Sequence, residues 1–529
     1  MWATAHTVSL EGAIGHVIDV QVDVSNGLVA AVLVGRPDTA INESRDRCRA
    51  AVQNSRFDWP VTKRITILLS PADLPKHGPH FDLAIAVAVL AASEADFPRE
   101  RLDATALIGE LTLDGRIRCV PGVLPMVMAA VARGIDTVYV PEPQVDEARM
   151  VDGVRVHGTR SLRQVVAALC GKEIPDAPPV EPLTSAPLLS WLERDTSEPV
   201  DLADVHGMLD ARFALEVAAA GGHHLMLSGP RGSGKTTLAE RLPTILPLLT
   251  REEALELTAV HSLAGTLVPG ASVIASPPFR APHHSASRTA VLGGGSGQVS
   301  PGELSKAHLG VLLLDEFPLF RADVIDSLRE PLESGMIRIS RGDADAVYPA
   351  RALVVFGANP CPCGEYSPTN PDHRCDCSQV ARRAYQRRVR GPILDRIDIT
   401  RHVEPVRRHE LADALGPPEP SAVVAERVAR ARDRQARRFQ GADWRLNGHV
   451  HGPVLKRSYP LDAPAMRALE EALINGQLTQ RGAVRVHRLC WTLADLAGID
   501  QPGLPEFKTA LSLRQGRPLE MSTVMRAAG

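Results

Sequence analysis

The chain has 529 residues, 44% of them apolar and 23% charged, with a formal net charge of −3. That length is more than one hydrophobic core organises and predicts about three or four domains, while near-neutral charge excludes a globally basic nucleic-acid binder, so any such surface has to be local. The apolar stretches fall well short of the ~20 residues of a membrane-spanning helix and Met1 to His6 carries no leader pattern, so a cytoplasmic protein with no membrane contact and eight cysteines as thiols is expected.

Up to about residue 170, runs of strand character (17–24, 30–34, 65–69) alternate with helix-like stretches (41–52, 82–92), and 109–115 reads as a strand with a tight turn. This predicts an N-terminal α+β or α/β domain over 1–170. Proline-rich 173–182 then predicts a semi-rigid linker, placed at 171–200.

Gly229-Pro230-Arg231-Gly232-Ser233-Gly234-Lys235-Thr236 follows the apolar run Leu225-Met226-Leu227 and precedes a helical pattern, fitting G-x-x-x-x-G-K-[ST]. The glycines let successive N–H groups face phosphate oxygens, Lys235 adds a positive charge, and Thr236 offers a hydroxyl to Mg²⁺. The alternative is a chance Gly-rich turn between strand and helix, which the intact strand–loop–helix context disfavours. Val311-Leu312-Leu313-Leu314-Asp315-Glu316 has the form of a Walker B strand: near-continuously apolar, as a buried parallel strand is, and ending in two acids. Asp315 is expected to hold Mg²⁺ and Glu316 to polarise the attacking water. A third apolar run, 353–358, ends in Asn359, an amide suited to orienting that water.

Cys361, Cys363, Cys375 and Cys377 fall within 17 residues. Each C-x-C pair can place two thiolates on one ion, which predicts a structural Zn²⁺ in an insertion at 359–378. Disulfides, a redox patch, or His373 as a competing ligand are the alternatives. Cys48, Cys119, Cys170 and Cys490 are scattered and read as small core residues.

Arg396 lies in Gly391-Pro392-Ile393-Leu394-Asp395-Arg396-Ile397-Asp398, where an arginine can either reach a neighbouring subunit's phosphate or pair locally with Asp395 or Asp398. Arg481 opens an amphipathic helix carrying Val484, Leu489, Leu493 and Leu496. Arg427, Arg430, Arg434, Arg437 and Arg438 share a helix face that is either solvated, intersubunit or a contact for nucleic acid. The stretch 336–341 alternates, turns at 342–345 and returns, predicting a hairpin with Arg338 and Arg341 near its tip.

Taken in order, Ala218 to His224, the P-loop, Phe279-Arg280-Ala281-Pro282-His283-His284, Gly293-Gly294-Gly295, Pro301 to Ser305, Asn359 to Gly364 and Gly391 to Asp398 resemble, over nearly the full chain, the magnesium-chelatase-like AAA+ ATPases of the ComM/YifB type. The resemblance implies an α/β protein: an AAA+ P-loop core (201–404) with the zinc insertion, an N-terminal Lon-protease-like α+β domain and a helical C-terminal lid (405–529). It implies ATP and Mg²⁺ as ligands and a homo-hexameric ring acting on branched or single-stranded DNA, with branch-migration helicase activity. Asn359 becomes a sensor, Arg396 a finger on a neighbour's nucleotide and Arg481 a second sensor. The Arg338–Arg341 hairpin would point into the pore, and His283 and His284 would belong to a second, DNA-facing insertion. A Lon-type dyad needs a serine and a lysine; the matching turn reads Gly78-Pro79-His80-Phe81-Asp82 and 121–125 contains no lysine, so the domain reads as non-proteolytic. The competing functions are a magnesium-chelatase ATPase subunit and an ATP-dependent protease.

Overall fold

A computed structural model describes residues 1–183, 200–268, 270–295, 299–341, 344–367, 374–389, 393–405 and 418–519. His373, Gly391, Pro392 and most of the expected linker therefore lie outside the described residues.

The N-terminal part is built on a seven-stranded mixed sheet in the order Ala30–Val34, Arg64–Ser70, Ile14–Ser25, Trp2–Glu11, Thr105–Leu107, Thr137–Pro141, Arg155–Thr159. The strand Trp2–Glu11 has no counterpart in the sequence reading. Its first inward positions are Ala3, Ala5, Thr7 and Ser9, all buried but small or polar, so the alternation carries little hydrophobic signal. Asp82–Ser93, by contrast, is buried on every side from Asp82 to Ala92 and lies against that sheet, as an all-round apolar helix must. Asp82 is neutralised inside by Arg47, whose Nε donates to Oδ2 at 2.9 Å.

The second part is a parallel five-stranded sheet ordered Phe279–Arg280, Val311–Leu314, Leu353–Ala358, Leu225–Ser228, Ile399–His402. The P-loop strand thus lies beside the strand that ends at Asn359, which in turn lies beside the Walker B strand, with Leu227 opposite Gly357 and Leu314 opposite Phe356. This register brings three carboxyl ends to one edge, where ligands sit in open parallel sheets.

Beyond the core, helices Ser421–Arg438, Ala463–Ile474, Gln480–Ala497 and Leu504–Gln515 pack back onto it. Val428, Leu489 and Phe507 from these helices share one apolar cluster with Val217 and Leu227 of the core.

Among the described residues, the N-terminal part meets the core at a helix and at a hairpin. Helix Arg251–Leu263 supplies Ser262, whose carbonyl accepts from the N–H of Gly122 at 3.2 Å. The hairpin Met336–Arg341/Ala344–Pro349 presents Val347, whose carbonyl accepts from the N–H of Ala13 at 3.0 Å. Pairing in that hairpin continues to Arg341 opposite Ala344, so residues 344 and 345, expected in the turn, belong to the return strand.

Candidate functional site

The P-loop leaves strand Leu225–Ser228 and enters helix Lys235–Arg241. Lys235 is buried, with Nζ donating to the carbonyls of Gly229 at 2.8 Å and Pro230 at 2.7 Å. Burial lowers its ammonium below the usual lysine range, while the nearby carboxylates of Asp315 and Glu316 act in the opposite direction. Thr236 Oγ1 donates to Asp315 Oδ2 at 2.7 Å, so the two residues expected to hold Mg²⁺ offer adjacent oxygens, the hard donors that ion takes. Gly357 makes this approach possible: a Cβ there would stand 2.5 Å from Asp315 Oδ1.

Glu316 follows directly, in a left-handed backbone conformation with φ of 50°, its N–H donating to Asp315 Oδ1 at 2.8 Å. Its carboxylate faces His284: Nδ1 of the imidazole lies 3.2 Å from Oε2. His283 lies against it at a tilt, ring centroids 4.1 Å apart, and its Nδ1 is 2.7 Å from Ser285 Oγ. The histidine pair expected on a DNA-facing insertion therefore has one member at the acidic end of the Walker B strand. Asn359, half-buried, stands at the end of the strand between the P-loop and Asp315.

The four cysteines of the insertion also converge, their Sγ atoms all within 4.8 Å of one another. Cys361 Sγ is 3.2 Å from Cys363 Sγ and 3.6 Å from Cys375 Sγ. Tetrahedral zinc with Zn–S near ~2.3 Å puts sulfurs about 3.8 Å apart, so the set fits one such ion. The cluster abuts the P-loop. The N–H of Arg231 donates to the carbonyl of Gly364 at 3.0 Å, and a Cβ on Gly364, where φ is +80°, would meet the Arg231 side chain.

Arg396 is buried and turned into its own chain. Its Nε donates to the carbonyl of Arg329 at 2.9 Å and its guanidinium pairs with Glu333 at 3.0 Å, rather than with Asp395 or Asp398. Arg481 is exposed in the first turn of helix Gln480–Ala497. One turn on, Arg485 is the residue that reaches the core, pairing with buried Asp398 at 3.1 Å. Burial alone would raise the Asp398 carboxyl, yet the Arg485 guanidinium and His223 hold it well below the usual carboxylate range. Arg485 carries no motif of its own in the sequence, although it lies four residues after Arg481 on the same helical face.

Arg338 is exposed on the hairpin, and Arg341 ends its first strand. The arginine stripe of Ser421–Arg438 is largely taken up inside the chain: Arg427 pairs with Glu216 at 2.6 Å, Arg434 with Asp500 at 2.8 Å, and Arg438 with Asp495. Arg427 ties this helix to the core, whereas Arg434 and Arg438 pair with residues of the C-terminal helical part itself. Among the described residues no helix is long and apolar enough to cross a membrane.

Three family models match in succession: "Subunit ChlI of Mg-chelatase" over 20–144, "Magnesium chelatase, subunit ChlI" over 201–411, and "Magnesium chelatase, subunit ChlI C-terminal" over 418–514. Among curated proteins, the uncharacterized protein Rv2897c of Mycobacterium tuberculosis is 45% identical over 97% of this chain and 98% of its own. YifB of Escherichia coli, also uncharacterized, is 39% identical over 96% of each chain. Competence protein ComM of Haemophilus influenzae is 38% identical over 94% of each.

Proposed function

This chain belongs to the magnesium-chelatase-like AAA+ ATPases of the ComM/YifB type, and on that premise we propose that it is an ATP-hydrolysing ring motor that drives branch migration of DNA. The observation that carries the ATPase half is the 2.7 Å contact between Thr236 and Asp315, with Glu316 next in the chain and Lys235 across the loop. The DNA half is supported by near-full-length similarity to a competence protein.

In this reading the P-loop N–H groups and Lys235 bind the phosphates of ATP, and Thr236 and Asp315 hold Mg²⁺. The ion neutralises charge on the phosphate oxygens when bound. Glu316 takes the proton of the attacking water and Asn359 orients that water. Arg481 and Arg396 complete the site, Arg396 from a neighbouring subunit once its contact with Glu333 opens. Cys361, Cys363, Cys375 and Cys377 hold one structural Zn²⁺. Arg338 and Arg341 contact DNA. The N-terminal domain has no proteolytic role: His80 and Asp82 of the turn that would carry a nucleophile are both buried and engaged, with Val8 and Arg47.

The test is ATP turnover with and without a four-way DNA junction, with strand separation followed in parallel. Junction DNA is expected to stimulate turnover in a salt-sensitive manner, and Glu316→Gln to bind ATP while turning over poorly. Turnover indifferent to every DNA offered would overturn the DNA reading and favour a chelatase-type ATPase, the function carried in the names of the matching family models.

A further inference from the structure

The parallel pairing of Arg280 with Leu312 sets two chain segments side by side, and four residues further along each of them stand His284 and Glu316. The contact between the two is thus a product of sheet register. Beyond His284 the chain is fastened: Ser287 caps helix Arg288–Leu292 by accepting from the N–H of Ala290 at 3.2 Å. Val291 and Leu292 then enter the apolar cluster that holds Leu314 and Phe317, the residues flanking Asp315 and Glu316. The imidazole is delivered by an element packed on the same core as the strand it serves, and the His283 ring lies tilted against it.

Glu316 needs such support. Its backbone is left-handed and its own N–H is spent on Asp315, so its carboxylate leaves the strand on a sharp turn. Both side chains are about one-third exposed, His284 at 31% and Glu316 at 33%, so the carboxylate is held from one side and reachable from the other. An imidazole nitrogen facing a carboxylate oxygen at this distance is favourable when it carries hydrogen, and it fixes which oxygen remains available to water.

We infer that His284 is a positioning residue for ATP hydrolysis, acting through Glu316 and tying the 281–295 segment to turnover. This rests on the reading of Glu316 as the base. The experiment uses the full chain with Mg²⁺ and ATP. His284→Ala is expected to lower kcat about tenfold and leave KM for ATP within about twofold, with His284→Asn, which keeps an N–H donor, recovering part of the loss. In a Glu316→Gln background, His284→Ala is expected to cost nothing further, because the two residues act as one unit. An unchanged or faster kcat in His284→Ala, or a loss that adds to that of Glu316→Gln, overturns the proposal alone. Undiminished turnover in Glu316→Gln by itself removes the base assignment and the proposal with it.

Discussion

The main-chain N–H of Arg231, in the middle of the P-loop, donates to the carbonyl of Gly364 at 3.0 Å, directly after the first cysteine pair. The P-loop therefore leans on the cysteine cluster, and a side chain at Gly364 would meet that of Arg231. Stripping the metal, or replacing Cys375 by serine, is expected to weaken ATP binding about three- to tenfold, the range one hydrogen bond's net worth allows. Titration with a fluorescent ATP analogue, alongside metal analysis expected to show one zinc per chain, checks this. Unaltered affinity in a metal-free protein would separate the two sites.

Gly357→Ala tests the Mg²⁺ assignment from outside the motif. The new Cβ would stand 2.5 Å from Asp315 Oδ1 and 3.2 Å from its Cα, so strand or carboxylate has to move. Turnover is expected to fall at least about tenfold through misplacement of Asp315, with a stability loss of about 1–3 kcal/mol from overpacking. Steady-state kinetics and denaturant unfolding read both quantities.

Asp398→Asn leaves Arg485 nearly buried without its counter-charge. A loss of about 3–5 kcal/mol is expected, as for other broken buried pairs. Replacing both residues by apolar ones of similar size is expected to recover much of it. A denaturant midpoint that does not move in Asp398→Asn would show that the lid does not depend on this pair.

The N-terminal part carries its own pH dependence. His80 is buried with Nε2 donating to the carbonyl of Val8 at 2.7 Å, and burial pushes its imidazole from 6.5 down to about 4. Below pH 6.5 the unfolded chain binds a proton that the folded one resists until about 4. Stability is therefore full above that window and falls as pH drops through it. His80→Gln should flatten the dependence of the unfolding midpoint between these values; an identical slope in variant and parent would assign the effect to other groups.

The candidate nucleotide site was legible because its motifs are local: eight consecutive residues make the P-loop motif, and six make the apolar strand and its two acids. The cysteine set was legible for the same reason. His284 was visible as a motif, but its partner lies 32 residues away and is chosen by strand register, which periodicity does not supply. The strand Trp2–Glu11 was hidden by small inward side chains, and Arg485 by the more prominent Arg481 at the helix start. The arginine stripe on Ser421–Arg438 misled in the other direction, since its partners Glu216, Asp495 and Asp500 are distant in sequence.

The hairpin bearing Arg338 is anchored at its second strand: Val347 bridges Gly12 and Ala13, and Ala346 and Tyr348 sit in one apolar cluster with Val8, Leu10 and Met126. A loop welded in this way to a seven-stranded slab cannot swing as a light finger. A displacement of the hairpin that bears Arg338 has to carry the slab with it, so the stiffness of the N-terminal part sets how far Arg338 can travel.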